Sequence, residues 1–197
     1  MQEQLNEVVD MAWQEVKDQV DKGQLTLVRE GNFGLHLGIF LYAFGNRDVP
    51  EGQRFEVEAE HLLEVDGARK YMDLACSYQP EDIKAALELK FCTAQQGADN
   101  LRRVDFWQDL GTLEEAQRQG FGEARFLLIT DDPRYPEVKR RGDYKKYSMH
   151  EGRVIEPGQY ECVDWAGRRG KSVTLEKAYP ISWEKINGLN FLELKGE

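Results

Sequence analysis

Residues 54–91 constrain the fold more than any other stretch, because they read as three strands in immediate succession. "RFEVEAEHL" (54–62) alternates, with Phe55, Val57 and Ala59 on one side and Glu56, Glu58 and Glu60 on the other. "ARKYMDLACS" (68–77) follows Val65-Asp66-Gly67, and an Asp-Gly pair between such runs signals a hairpin. "IKAALELKF" (83–91) follows a turn at Gln79-Pro80-Glu81-Asp82. It is short, mostly apolar and flanked by turn residues, which predicts a central strand; its Ala, Leu, Glu and Lys content also suits a helix. The three together form an antiparallel meander.

Helical patterns surround the meander. Over 3–21, Leu5, Val8, Val9, Ala12, Trp13, Val16 and Val20 recur at helical spacing, and Lys22-Gly23 ends the run. A second helix is predicted over 32–44, with Asn32 as N-cap and Gly45-Asn46 as stop. It is apolar almost all round, so full burial is expected. A long helix over 98–119 has the stripe Leu101, Val104, Trp107, Leu110, Leu113 and Ala116, and "ARFLLIT" (124–130) reads as a fourth buried strand. The order α-α-β-β-β-α-β predicts an α/β (α+β) domain with a mixed sheet flanked by helices. Beyond Thr130 a long excursion leads to two or three short strands, a C-terminal β-rich elaboration. We divide the single domain 1–197 into an N-terminal helix (1–29), a core (30–130) and the basic excursion with the C-terminal strands (131–197).

No apolar run approaches the ~20 residues a membrane helix needs, and "MQEQLNEVVDMAW" lacks a basic-then-apolar leader. Cys76, Cys92 and Cys162 show no CxxC spacing, so a reduced, cytoplasmic protein is expected, without a zinc or iron–sulfur site. The net charge of −10 argues against a nucleic-acid role, but the charge is uneven. Residues 1–133 hold 13 basic and 26 acidic side chains; residues 134–177 hold 11 basic and 7 acidic. The basic part, with "VKRRGDYKKY" and "WAGRRGK", reads either as solvated loops or as a polyanion-binding arm.

The central strand poses a specific question. Successive side chains alternate faces, so Glu88 and Lys90 share one face while Leu87, Leu89 and Phe91 share the other. A two-residue turn at Pro80-Glu81 pairs Gln79 with Asp82, which sets Asp73 opposite Glu88. Like charges so placed are destabilising unless something positive lies between them. Lys90 supplies one charge, and a divalent cation suited to carboxylates, Mg²⁺ or Mn²⁺, would supply two more. Glu-Leu-Lys alone carries little information, since Glu193 and Lys195 repeat it near the chain end. The acid fifteen residues upstream of Glu88 and the apolar setting distinguish the first copy.

"YMDLACSYQPEDIKAALELKF" resembles the core of the PD-(D/E)xK, or restriction-endonuclease-like, nuclease superfamily, with an acid on the second core strand (Asp73) and (D/E)-x-K on the third (Glu88, Lys90). The α-β-β-β-α-β order over about 30–130 matches the superfamily core. Met72 stands where proline is common. Many members place a glutamate on the helix before the first strand, and Glu30, just ahead of the predicted cap, is the candidate. The resemblance implies a deoxyribonuclease in which Asp73, Glu88 and the Leu89 backbone carbonyl hold one or two Mg²⁺ (or Mn²⁺) and Lys90 orients the attacking water. Nucleic acid, most naturally DNA, is the implied partner, with Gln95, Arg102 and Arg103 in reach of phosphates and Arg140, Arg141, Lys145, Lys146, Arg168 and Arg169 on the basic arm. A homodimer or larger assembly fits cutting of two strands. The rival is a non-catalytic domain on the same fold, acting through protein contacts in a defence or repair assembly; the acidic net charge favours it.

Other residues carry less. His36 lies on an apolar helix and reads as a core or rim histidine; His61 and His150 have no spacing partner. Ser148 with His150 lacks the context of a nucleophile and base. Phe106, Trp107 and Leu110 read as core. Tyr144, Tyr147 and Trp165 read either as base-stacking groups or as packing under a loop. The row Glu56, Glu58 and Glu60 reads as a solvated strand face that would turn DNA away.

Overall fold

The structure is a computed structural model and describes residues 1–47, 49, 51–65, 67–80, 83–96, 100–137, 142–163 and 168–196. Helices α1 (Gln2–Asp21) and α2 (Glu30–Gly45) precede strands β1 (Arg54–Val65), β2 (Ala68–Gln79) and β3 (Ile83–Cys92). Helix α3 (Asn100–Arg118) and strand β4 (Glu123–Thr130) complete the expected order. Six further strands follow: β5 (Val154–Ile155), β6 (Gly158–Glu161), β7 (Ser172–Leu175), β8 (Tyr179–Pro180), β9 (Trp183–Ile186) and β10 (Leu189–Lys195). The fold is mixed α/β, with a six-stranded mixed sheet in the order β1-β2-β3-β4-β10-β9 and two small antiparallel pairs, β5-β8 and β6-β7. The chain groups into two compact units, Met1–Leu89 with Ala116–Arg125, and Lys90–Glu115 with Phe126–Glu197.

In the first unit the meander forms as the turns dictate. Val65 pairs with Ala68, and Gly67 takes the positive φ of 74° that a tight hairpin needs. All seven stripe residues of α1 are buried, and Gly23 at φ 67° follows the helix end. Trp13 packs on Phe33 of α2 at 5.8 Å between ring centroids. Helix α2 departs from expectation in two ways. It starts at Glu30, with Arg29 as an extended N-cap, while Asn32 reaches back to accept from the Val28 N–H at 3.3 Å. Its apolar surface is also only half covered: Phe33, Leu37 and Leu41 are buried, but Leu35, Ile39 and Tyr42 are 61%, 52% and 59% exposed. Glycine brings the buried side close to the sheet, since a Cβ on Gly34 would lie 3.3 Å from Leu89 Cδ1. Arg125, at the start of β4, is buried and pairs with Glu123 at 2.7 Å and with Asp10 of α1.

In the second unit, Trp107 of α3 packs edge-on to Tyr147, and Phe106 packs on Phe126 and Tyr135. Glu114 ties down the segment after β7, accepting from the backbone N–H groups of Glu176 (2.8 Å) and Lys177 (3.0 Å) and from the Tyr179 hydroxyl (2.9 Å). Strand β10, which carries the second Glu-Leu-Lys, lies between β4 and β9 with Phe191, Leu192 and Leu194 buried. The short C-terminal strand expected from the sequence is thus part of the six-stranded sheet.

Candidate functional site

The β2–β3 ladder has the register that the short turn implies. Tyr78 pairs with Ile83, and the pairs run without interruption to Leu74 and Leu87. The next residues in line are Asp73 and Glu88. Here a side chain takes over from the backbone ladder: Asp73 Oδ2 accepts the Leu89 N–H at 2.7 Å. Glu88 is 7% exposed, an ionisable group that burial disfavours unless it is compensated.

Asp73 opens onto a cleft of about 780 Å³ beside α2, which Leu89, Leu74, Val57 and Ala59 also line. Glu30 and Glu60 line it too. Because α2 starts at Glu30, this residue lies in the helix's first turn and not ahead of the cap, which puts a carboxylate at the positive end of the helix dipole.

The sequence pattern missed Glu60. It has a φ of 54°, rare for a residue with a side chain and a form of stored strain. The pleat changes phase there. Glu56, Glu58 and His61 line a second, smaller pocket, whereas Val57, Ala59 and Glu60 line the main cleft. Glu60 therefore leaves the acidic row that simple alternation assigns it to. On β2, neighbouring Asp73 and Leu74 likewise both line the cleft. The register stays intact on either side, Ala59 with Leu74 and His61 with Met72, so Glu60 and Asp73 occupy the same level of adjacent strands. No periodicity rule signals such a slip; only the chain geometry reveals it.

Lys90 belongs to the second unit, where its ammonium lies 3.3 Å from Asp109 of α3. The second Glu-Leu-Lys behaves differently, with Lys195 pairing to its own Glu193 at 3.4 Å. Cys76, three residues past Asp73, is no nucleophile: burial pushes its thiol up to about 12, against the opposing pull of Arg125. All three cysteines are free and buried. His61 meets Glu58 at 2.6 Å and packs on Phe121, while His150 meets the buried Ser148 at 2.9 Å.

The proposed phosphate contacts divide. Arg103 is fully buried, its guanidinium 4.1 Å from the Tyr135 ring centre and donating to the Arg134 carbonyl, so it is a core group and does not meet a phosphate. Arg102 donates to Gln96 Oε1 at 2.7 Å. Arg168 forms a two-pronged pair with Asp105, at 2.7 and 2.6 Å, which already offsets its charge. Lys145, Lys146 and Arg169 are exposed. Arg140, Arg141 and Trp165 lie outside the described residues, as does the side chain of Tyr144. Tyr147 is buried against Trp107 and is packing, not a stacking platform.

Among the described residues, no group of three or more His, Cys, Asp or Glu side chains is placed to hold a metal ion, and no helix is long and apolar enough to cross a membrane. Comparison with protein-family models, curated proteins and solved structures finds no match to this chain.

Proposed function

We propose that the protein is a Mg²⁺-dependent deoxyribonuclease with a restriction-endonuclease-like core. The observation that carries this reading is the β2–β3 register, in which Asp73 and Glu88 are the residues that follow the Leu74–Leu87 pair on their two strands, with Asp73 held by the Leu89 N–H. The element order from α2 to β4, α-β-β-β-α-β, supports it as well.

The donor set suits Mg²⁺. This ion keeps several waters and needs only one or two protein carboxylates, so two acids and a carbonyl suffice where a cage of three side chains is not required. Asp73, Glu88 and the Leu89 carbonyl are the residues that would hold it; Glu30 in the first turn of α2 is an outer candidate. A bound Mg²⁺ polarises a phosphate and lowers the pKa of water. Asp73 is positioned by its bond to the β3 backbone. Lys90, two residues beyond Glu88 on the same strand, is assigned to orient the attacking water and to stabilise the charge that develops on the phosphate. The exposed Lys145, Lys146 and Arg169 are the groups assigned to meet DNA phosphates.

The test is cleavage of supercoiled plasmid with Mg²⁺ or Mn²⁺ by wild type, Glu88→Gln and Lys90→Ala. Wild-type cleavage with both variants at least ~100-fold slower is expected, the scale of losing one charge-stabilising group. Equal rates from all three would assign the activity to a contaminant. A second reading, a non-catalytic domain acting through protein contacts, draws on the exposed apolar stripe of α2. It requires an inactive wild type.

A further inference from the structure

The main cleft carries an apolar wall that phosphodiester cleavage does not use. Its volume, about 780 Å³, falls within the range of small-molecule sites, roughly 300–1,000 Å³. One wall is the stripe Leu35, Ile39 and Tyr42, spaced by four and three residues so that all three share a face of α2. Apolar side chains exposed in a row beside a concave surface mark a place where something else is meant to pack. The same cleft is lined by three carboxylates, Glu30, Glu60 and Asp73, and among the described residues lining it none is Lys, Arg or His. An anionic ligand would be repelled there. A hydrated cation on Asp73 would not cover the apolar wall, so the wall calls for an apolar body of its own, and a polyamine has none to lay against it.

We infer that the cleft binds an organic ammonium compound, a primary amine on an alkyl or aryl body. The body lies along the Leu35–Ile39–Tyr42 wall and the ammonium sits among the carboxylates, where opposite charge and apolar contact act together. This inference does not rest on the nuclease reading.

The test is calorimetric titration of the full chain with n-butyl-, n-hexyl- and n-octylammonium chloride, with octanoate and spermine as controls. Affinity is expected to rise about three- to fourfold per methylene, the value of a buried CH₂. Octanoate and spermine are expected to bind at least tenfold more weakly than octylammonium. Glu60→Gln, at an exposed side chain, should weaken octylammonium at least several-fold, and Ile39→Asn should flatten the chain-length dependence; circular dichroism checks that both remain folded. Octanoate binding as well as octylammonium, an affinity independent of chain length, or unchanged binding in both variants overturns the inference, as does no binding of octylammonium at millimolar concentration. The plasmid assay keeps the two readings apart: amine binding without cleavage retains this one and removes the nuclease, and cleavage without amine binding does the reverse.

Discussion

Replacing Asp73 by alanine and by asparagine separates its structural role from its chemical one. Asp73 Oδ2 accepts the Leu89 N–H at 2.7 Å just where the β2–β3 ladder stops. Alanine removes that acceptor and leaves a part-buried backbone donor unmatched, a cost of ~1–3 kcal/mol. Asparagine retains a side-chain carbonyl in the same place. It loses only the charge assistance of the bond, on the order of 1 kcal/mol or less. Urea unfolding should therefore rank wild type, then Asn, then Ala, with Ala below Asn by ~1–2 kcal/mol. On the proposed nuclease reading, cleavage should follow a different order. Both variants lack a carboxylate for the divalent cation, so both should fall by at least ~100-fold, whatever their stability. Two results refute the reasoning separately. Equal stability of the two variants means that the bond to Leu89 contributes nothing. Wild-type cleavage by Asp73→Asn means that the carboxylate is not part of the chemistry.

Alkaline pH should loosen the fold through Cys76. The native thiol ionises at about 12 because it is buried, and the unfolded thiol near ~8.5, so the unfolded chain binds fewer protons between those values. Stability then falls as pH rises through this window, by up to ~1.4 kcal/mol per pH unit from this group, and Cys76→Ala should reduce the slope in urea titrations between pH 8 and 11. Asp132 acts at the other end. Burial alone would raise its carboxyl, but hydrogen bonds and charge from Arg134 outweigh this and hold it below its usual range. Its stabilisation is present above the ordinary aspartate pKa of ~3.9 and is lost as pH falls through the depressed native value, so Asp132→Asn should make acid unfolding less steep. Glu114→Ala should cost ~3–5 kcal/mol in thermal or urea unfolding, because three donors lose their shared acceptor in a buried setting. Gly45→Ala should cost ~1–3 kcal/mol, since its methyl would drive into the Phe55 ring; an unchanged midpoint would show that the ring moves aside freely.

Much of this architecture was legible in the sequence because short-range rules governed it. The α1 stripe is buried residue for residue, the Asp-Gly turn gives the hairpin, and a short turn gives the β2–β3 register as far as Leu74 and Leu87. Elsewhere tertiary context decided. Composition made α2 look buried on all sides, yet whether Leu35, Ile39 and Tyr42 are covered depends on what packs against them. Arg103 and Arg125 look like surface charges because nothing local announces Tyr135 below one or Asp10 and Glu123 around the other. The C-terminal segment reads as a short strand, but only long-range pairing shows that it joins the main sheet between β4 and β9. The change of pleat phase at Glu60 defeats alternation altogether, since one backbone angle causes it.

That left-handed residue also bears on how β1 tolerates change. Before it, odd-numbered side chains turn toward the cleft; after it, His61 joins the even-numbered glutamates instead. The two halves of one strand thus obey opposite parity while keeping the same hydrogen-bonding neighbours. A β-branched replacement at position 60 resists that backbone angle and would strain the strand at the point where the two halves change sides. A single codon there acts as a frame mark for the strand's inside and outside.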